Sequence, residues 1–206
     1  QTRYRLDAEM IRDQALDISG LLVRQIGGPS VRPYQPSGYY SQLNFPKRTY
    51  KHDKGNSQYR RGLYTHWQRT FLHPMLKAFD APTREECTAQ RPRSNTPLQS
   101  LNLLNDPSFV EAARTFAAGI LSSPAKADHQ RIRSAFESVV LRQPTHRELM
   151  ILEQLLIETR EGYSSEPERG LELVKVGLNQ AGKQCPPAEL GAWTAVTRAL
   201  FNLHET

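Results

Sequence analysis

Asn95-Thr-Pro-Leu-Gln-Ser-Leu-Asn-Leu-Leu-Asn-Asp-Pro107, continuing into Ser-Phe-Val-Glu-Ala-Ala-Arg-Thr-Phe-Ala-Ala-Gly-Ile-Leu121, decides the fold class. It holds two helix starts in succession. Thr96 at the N-cap, Pro97 at the first helical position and Gln99 at the third form a capping box. Asp106-Pro107 repeats the cap-and-proline device at once. The first start predicts a short helix through Leu98, Leu101, Leu103 and Leu104. The second predicts a longer one with Phe109, Ala112, Ala113, Phe116, Ala117 and Ile120 on one face.

Outward from this stretch the chain stays helical. Towards the C-terminus, helices are expected over residues 126–141, 147–163 (opened by the capping box Thr145-His-Arg-Glu148), 167–178 and 187–203. The last places Leu190, Trp193, Val196, Leu200 and Leu203 on one stripe. Towards the N-terminus, residues 4–26 carry Leu6, Met10, Ile11, Ala15, Ile18, Leu22 and Ile26 at helical spacing. Asp7 is the expected cap and Gly27-Gly28-Pro29 the expected stop. Short helices are expected over residues 61–72 and after the Asp80-Ala81-Pro82 start.

Between the first two helices, residues 29–60 lose all periodicity. Pro29, Pro33, Pro36 and Pro46 alternate with Tyr34, Tyr39, Tyr40, Phe45 and Tyr50. A short hairpin is expected over residues 50–59 around Lys54-Gly55-Asn56. Aromatics in a loop pack on something, so this segment reads as a seat for another domain, or as a stacking surface for sugars or single strands. The fold class is therefore mainly α: one irregular multi-helix domain over residues 1–206, with a long Pro/Tyr-rich excursion. The chain opens on Gln1 and enters a helical pattern at once, so it reads as a piece of a longer protein.

At 206 residues a single domain with a real core is expected. No apolar stretch is long enough for a membrane span. The 27 Lys/Arg and 21 Asp/Glu give +6, unevenly: residues 1–103 hold 16 basic and 8 acidic side chains, residues 104–206 hold 11 and 13. Such asymmetry fits an acidic partner, or two halves that face each other. The basic half has no run of five Lys/Arg, so nucleic acid is not the expected ligand.

Catalytic signatures are missing. Cys87 and Cys185 form no Cys-x-x-Cys pair, and His52, His66, His73, His129, His146 and His204 share no metal-ligand spacing. No metal or cofactor is expected in this chain. The densest polar stretch, residues 79–107, offers Arg84, Arg91 and Arg93 as anion forks, with Asn95 and Gln99 as amides. With Tyr34, Tyr39 and Tyr40 these are the candidate ligand or interface residues; none is expected to be catalytic. The competing reading has the Arg and Asn residues satisfying loop carbonyls where short helices meet.

Several separate motifs resemble the planctomycete-type domain of unknown function 1553. They are Leu6-Asp-Ala-Glu-Met-Ile-Arg-Asp-Gln-Ala-Leu16, Gly27-Gly-Pro-Ser-Val-Arg-Pro-Tyr-Gln-Pro36, Arg60-Arg-Gly-Leu-Tyr-Thr65, Phe79-Asp-Ala-Pro82, Arg84-Glu-Glu-Cys87, Asn95-Thr-Pro-Leu-Gln99, Leu104-Asn-Asp-Pro107 and Glu111-Ala-Ala-Arg114, closing with Trp193 and Arg198-Ala-Leu200. The resemblance implies the C-terminal module of a large extracytoplasmic, cytochrome-c-like protein. It implies that any haem sits in another module, and that upstream domains of the same polypeptide are the partners. The expectation is a docking or ligand-binding domain with no chemistry of its own. The alternative is part of an enzyme acting on polysaccharide, sulfated polysaccharide included, with the Arg cluster holding an anion.

Overall fold

The computed structural model describes residues 6–42, 49–68, 71–125, 127–180, 182 and 184–203. Eight α-helices run in chain order among them: α1 Ala8–Ile18, α2 Pro74–Ala78, α3 Pro97–Asn105, α4 Pro107–Leu121, α5 Asp128–Val140, α6 His146–Ser165, α7 Pro167–Val174 and α8 Pro187–Phe201. No strand forms among the described residues, only two isolated parallel bridges, Val23 with Arg60 and Val31 with Thr65.

Helix α8 is the centre. Helices α4 and α6 pack on either side of it, α7 lies against it, and α1 covers the far side of α4. Leu190, Trp193, Val196 and Leu200 are wholly buried in α8, and Phe109, Ala112, Ala113, Ile132, Phe136 and Leu156 complete the core around them. The alanines of α4 let it approach closely enough for the Thr197 hydroxyl to donate to the Ala113 carbonyl at 2.9 Å. Arg160 ties the stack laterally, donating to Glu189 of α8 at 2.7 Å and to Asp128 of α5 at 3.0 Å.

The second half forms as its caps foretell, except that α7 ends at Val174 rather than residue 178, before Gly177 turns left-handed (φ +82°). Gln99 Oε1 accepts from the Thr96 amide at 3.2 Å, and Asp106 accepts from the Ser108 amide at 2.8 Å. Glu148 closes its capping box on Thr145 and is gripped by Arg142, which pulls its carboxyl down to about 2. Leu98 and Leu101 of α3 face outward rather than into the core.

The first half departs from expectation in four places. Helix α1 stops at Ile18 instead of Ile26, because Gly20 turns left-handed (φ +74°) and the Leu21 amide folds back to the Leu16 carbonyl at 2.8 Å. Leu21 and Val23, apolar in sequence, serve the loop: Leu21 is buried, and the Val23 amide donates to the Tyr59 carbonyl at 2.9 Å. No hairpin spans residues 50–59; Gly55–Tyr59 is a 3-10 turn, and the Asp53 amide donates to the Arg32 carbonyl while the Asp53 carboxylate accepts from the Arg32 amide. The helix expected over residues 61–72 is a three-residue turn at Gly62–Tyr64. There Gly62 lies on α1, where a Cβ would collide with the Glu9 backbone. The start at Asp80-Ala81-Pro82 opens no helix, since Asp80 is left-handed (φ +60°) and its carboxylate serves Ser94.

Candidate docking surface

The polar stretch of residues 79–107 does not gather into one anion pocket. Arg84, itself left-handed at φ +63°, stacks its guanidinium 3.8 Å above the Trp67 ring. Arg91 turns the other way and grips the Glu9 carboxylate with both terminal nitrogens, at 2.7 and 3.2 Å. Arg93 and Asn95 are exposed. Gln99 is buried and spends its amide inside the fold, donating to Ser94 Oγ at 3.1 Å and to Asp80 Oδ2 at 3.4 Å. Arg91, Arg93 and Gln99 do share a cleft with Asp80, but its volume is about 10 Å³, the room of a single water.

The carbonyl-satisfying role foreseen for this cluster falls to other arginines. Buried Arg12 donates to the Gln58 and Arg60 carbonyls, each at 2.5 Å. Arg60 crosses the loop to the Pro29 carbonyl at 2.8 Å and to that of Gly27, with its guanidinium 4.0 Å over Tyr64. Arg114 reaches the Asn179 carbonyl at 2.8 Å, and Arg198 bonds the Leu104 carbonyl. Burial lowers the Arg12 and Arg114 pKa values.

Glu111 is the hub that fastens the loop to the helices. Its carboxylate is buried and accepts from the Tyr34 hydroxyl at 2.9 Å, the Tyr59 hydroxyl at 2.8 Å and the Asn179 amide at 2.5 Å. Burial beside this carboxylate raises both tyrosine pKa values. Gly177 is required here, because a Cβ would strike the Glu111 carboxylate and its φ is +82°. Of the other loop aromatics, Tyr39, Tyr40 and Tyr50 are half-buried and engaged within the fold, and Phe45 lies outside the described residues. Tyr39 packs 4.5 Å from Phe71 and donates to the Leu72 carbonyl, Tyr40 lies edge-on to Tyr50 at 5.3 Å, and Tyr50 donates to the Pro33 carbonyl. Tyr34, Tyr39 and Tyr40 are thus braces of the loop, not an open stacking platform.

His73 completes the brace. It is buried, with Nε2 on the Tyr34 carbonyl at 2.8 Å and Nδ1 accepting from the Met75 amide at 3.3 Å. Both ring nitrogens are engaged in the neutral form, and burial holds its pKa down at about 4. Cys87, by contrast, is exposed, and neither it nor Cys185 is in a disulfide.

With the described tyrosines engaged within the fold, the exposed charge of the loop is basic. Residues 21–66 contain eight Lys/Arg and a single acid, Asp53. Arg32, Lys51, Lys54 and Arg61 are exposed, while Lys47 and Arg48 lie outside the described residues. Arg61 leans on Asp13 at 2.9 Å. The result is a cationic surface held in fixed shape from beneath, the arrangement that lowers the ordering cost of binding a partner. No group of His, Cys, Asp or Glu suited to a metal ion occurs among the described residues.

Reasoning from sequence missed Arg12, Arg60, Glu111 and Arg114 as joints. The available signal was a mismatch of residue and place: Arg12 and the Glu111/Arg114 pair stand among apolar residues of helical stretches. A charge at a core position is retained only with partners.

A family model described as "PSD1: Protein of unknown function (DUF1553)" matches residues 1–156. That span takes in the loop, its joints on α1 and Glu111, and α2 to α5, but not α7 or α8. No curated protein and no solved structure matches the chain.

Proposed function

The chain belongs to the DUF1553 family, and from that premise we propose that it is a docking module. Its braced, basic loop face seats an acidic surface of another region of the same polypeptide, and it performs no chemistry of its own. One observation carries this reading: the loop spends its tyrosines and buried arginines on holding its own shape, and turns Arg32, Lys51 and Lys54 outward. A surface fixed in this way binds without first having to be ordered. An extracytoplasmic setting, and a cytochrome-c-like module elsewhere in the polypeptide, belong to the proposal on the strength of the resemblance. The polysaccharide-enzyme alternative gains no such support, since Arg84 and Arg91 point to different partners.

The test is a charge reversal that leaves every joint intact. Lys51→Glu with Lys54→Glu, both exposed, weakens binding of the separately expressed upstream segment by at least about tenfold at low salt, and the difference shrinks as salt rises. Titration calorimetry reads the outcome; undiminished binding by the double variant contradicts the proposal.

A further inference from the structure

We infer that a second copy of this chain docks head to tail, laying its basic loop face on the outer face of α6 and α7. The inference rests on the docking reading of the loop face and names an occupant for it.

Three observations converge. The first is a set of exposed apolar side chains. Met150 and Ile157, at i and i+7, share one face of α6. Met150 and Ile157 are 55% and 48% exposed, beside Ile151 at 57% and Leu171 of α7 at 48%. Leu141, at the apex leading into α6, is 89% exposed and left-handed at φ 60°. Single exposed apolar side chains are ordinary, but five occur along residues 141–171, two of them, Met150 and Ile157, on one face of α6, and such a concentration marks a surface meant to be covered.

The second observation is charge. Residues 146–174 hold seven glutamates against three arginines. Glu158 and Glu161 lie on α6 near Ile157 and are exposed; Arg147 is the one exposed arginine of α6, and Arg160 is spent on Asp128 and Glu189. The loop region is the complement: Arg32, Lys51 and Lys54 are exposed, and so are the apolar Ile26 at 92% and Leu63 at 62%.

The third is placement. The loop is fastened to α4 through Glu111 and α1 packs on α4, while α6 packs on α8, α5 and α7. The exposed side chains of the two faces thus stay uncovered within one chain. A contact between unlike faces is heterologous, so it propagates into a ring or a row of copies. In the full polypeptide, a domain seated on the loop face competes with the second copy.

Sedimentation velocity on the chain tests this with two variants confined to exposed side chains, their folds checked by circular dichroism. Met150→Glu with Ile157→Glu disables the α6 face; Lys51→Glu with Lys54→Glu disables the loop face. The unsubstituted chain sediments faster as its concentration rises at low salt and reverts to monomer at high salt. Each variant alone stays monomeric. Mixed in equal amounts they form a one-to-one dimer and nothing larger, since one intact face of each kind remains. An unsubstituted chain that stays monomeric at every concentration overturns the inference, as does a mixture that stays monomeric. A monomeric chain whose loop variant still loses the upstream segment removes the second copy and leaves the docking module standing. A monomeric chain whose loop variant binds that segment normally removes both.

Discussion

Two regions of this molecule reach a fixed shape by opposite means. In the stack of α5 to α8, Trp193, Leu190, Leu156 and Ile132 are wholly buried and meet through apolar contact. In residues 21–66, order comes from point-to-point polar joints: Arg12 to two carbonyls, Arg60 across the loop, and Tyr34 and Tyr59 onto Glu111. Apolar packing spreads its energy over many small contacts and tolerates local loss. A polar joint concentrates it, because a donor buried without its acceptor costs about 1–3 kcal/mol. The comparison teaches where each region fails: the stack fails as a whole, the loop by detachment.

Substitutions on the two sides should separate these modes. Trp193→Ala, at the centre of the stack, should cost about 4 kcal/mol and lower the single thermal transition of the whole chain, loop included. A loop that still melts at its original temperature in this variant would break the comparison. Glu111→Ala leaves the Tyr34 and Tyr59 hydroxyls and the Asn179 amide without their acceptor. It should cost about 3 kcal/mol, and near-ultraviolet circular dichroism of the tyrosines should change before the helical signal does.

Acid provides a milder cut at the same joint. His73 has a folded pKa of about 4 against 6.5 for the free side chain. Its neutral form is the one the fold accepts, so its contribution is complete above about pH 6.5 and is withdrawn as pH falls towards 4. By pH 5 the loss is about 2 kcal/mol. Protonation would place a donor on Nδ1, facing the Met75 amide that now donates to it. Urea midpoints measured from pH 7 to 5 check this. His73→Asn keeps a capping acceptor and should flatten the slope over that interval; an unchanged slope would assign it elsewhere.

The same contrast explains what the sequence made legible. Caps and 3.6-residue periodicity are local, so Thr96, Asp106 and Thr145 announced their helices correctly, and the Leu190–Leu200 stripe announced the centre of the core. The loop was recognisable as a loop, but its geometry depends on partners 31 to 77 residues away, such as Pro29 for Arg60 and Glu111 for Tyr34. Leu22 and Ile26 continued the helical spacing of α1, yet Gly20 took the left-handed turn and gave Val23 to Tyr59. Gly62 broke the expected helix over residues 61–72 because α1 lies against it, a fact no neighbouring residue encodes. In the docking surface, the basic composition was visible, but which aromatics turn inward was not. Tyrosine hydroxyls find acceptors, and the acceptor here is a glutamate on another helix.

Amide hydrogen exchange on the unsubstituted chain and on Glu111→Ala tests most directly whether the loop is a rigid unit held by buried polar joints. The account predicts protection in the unsubstituted chain at the Val23, Val31, Asp53 and His66 amides, whose acceptors are loop carbonyls. In Glu111→Ala that protection should be lost while the amides of α8 keep theirs. Fast exchange at those four positions in the unsubstituted chain, or their protection unchanged after Glu111 is removed, would contradict it.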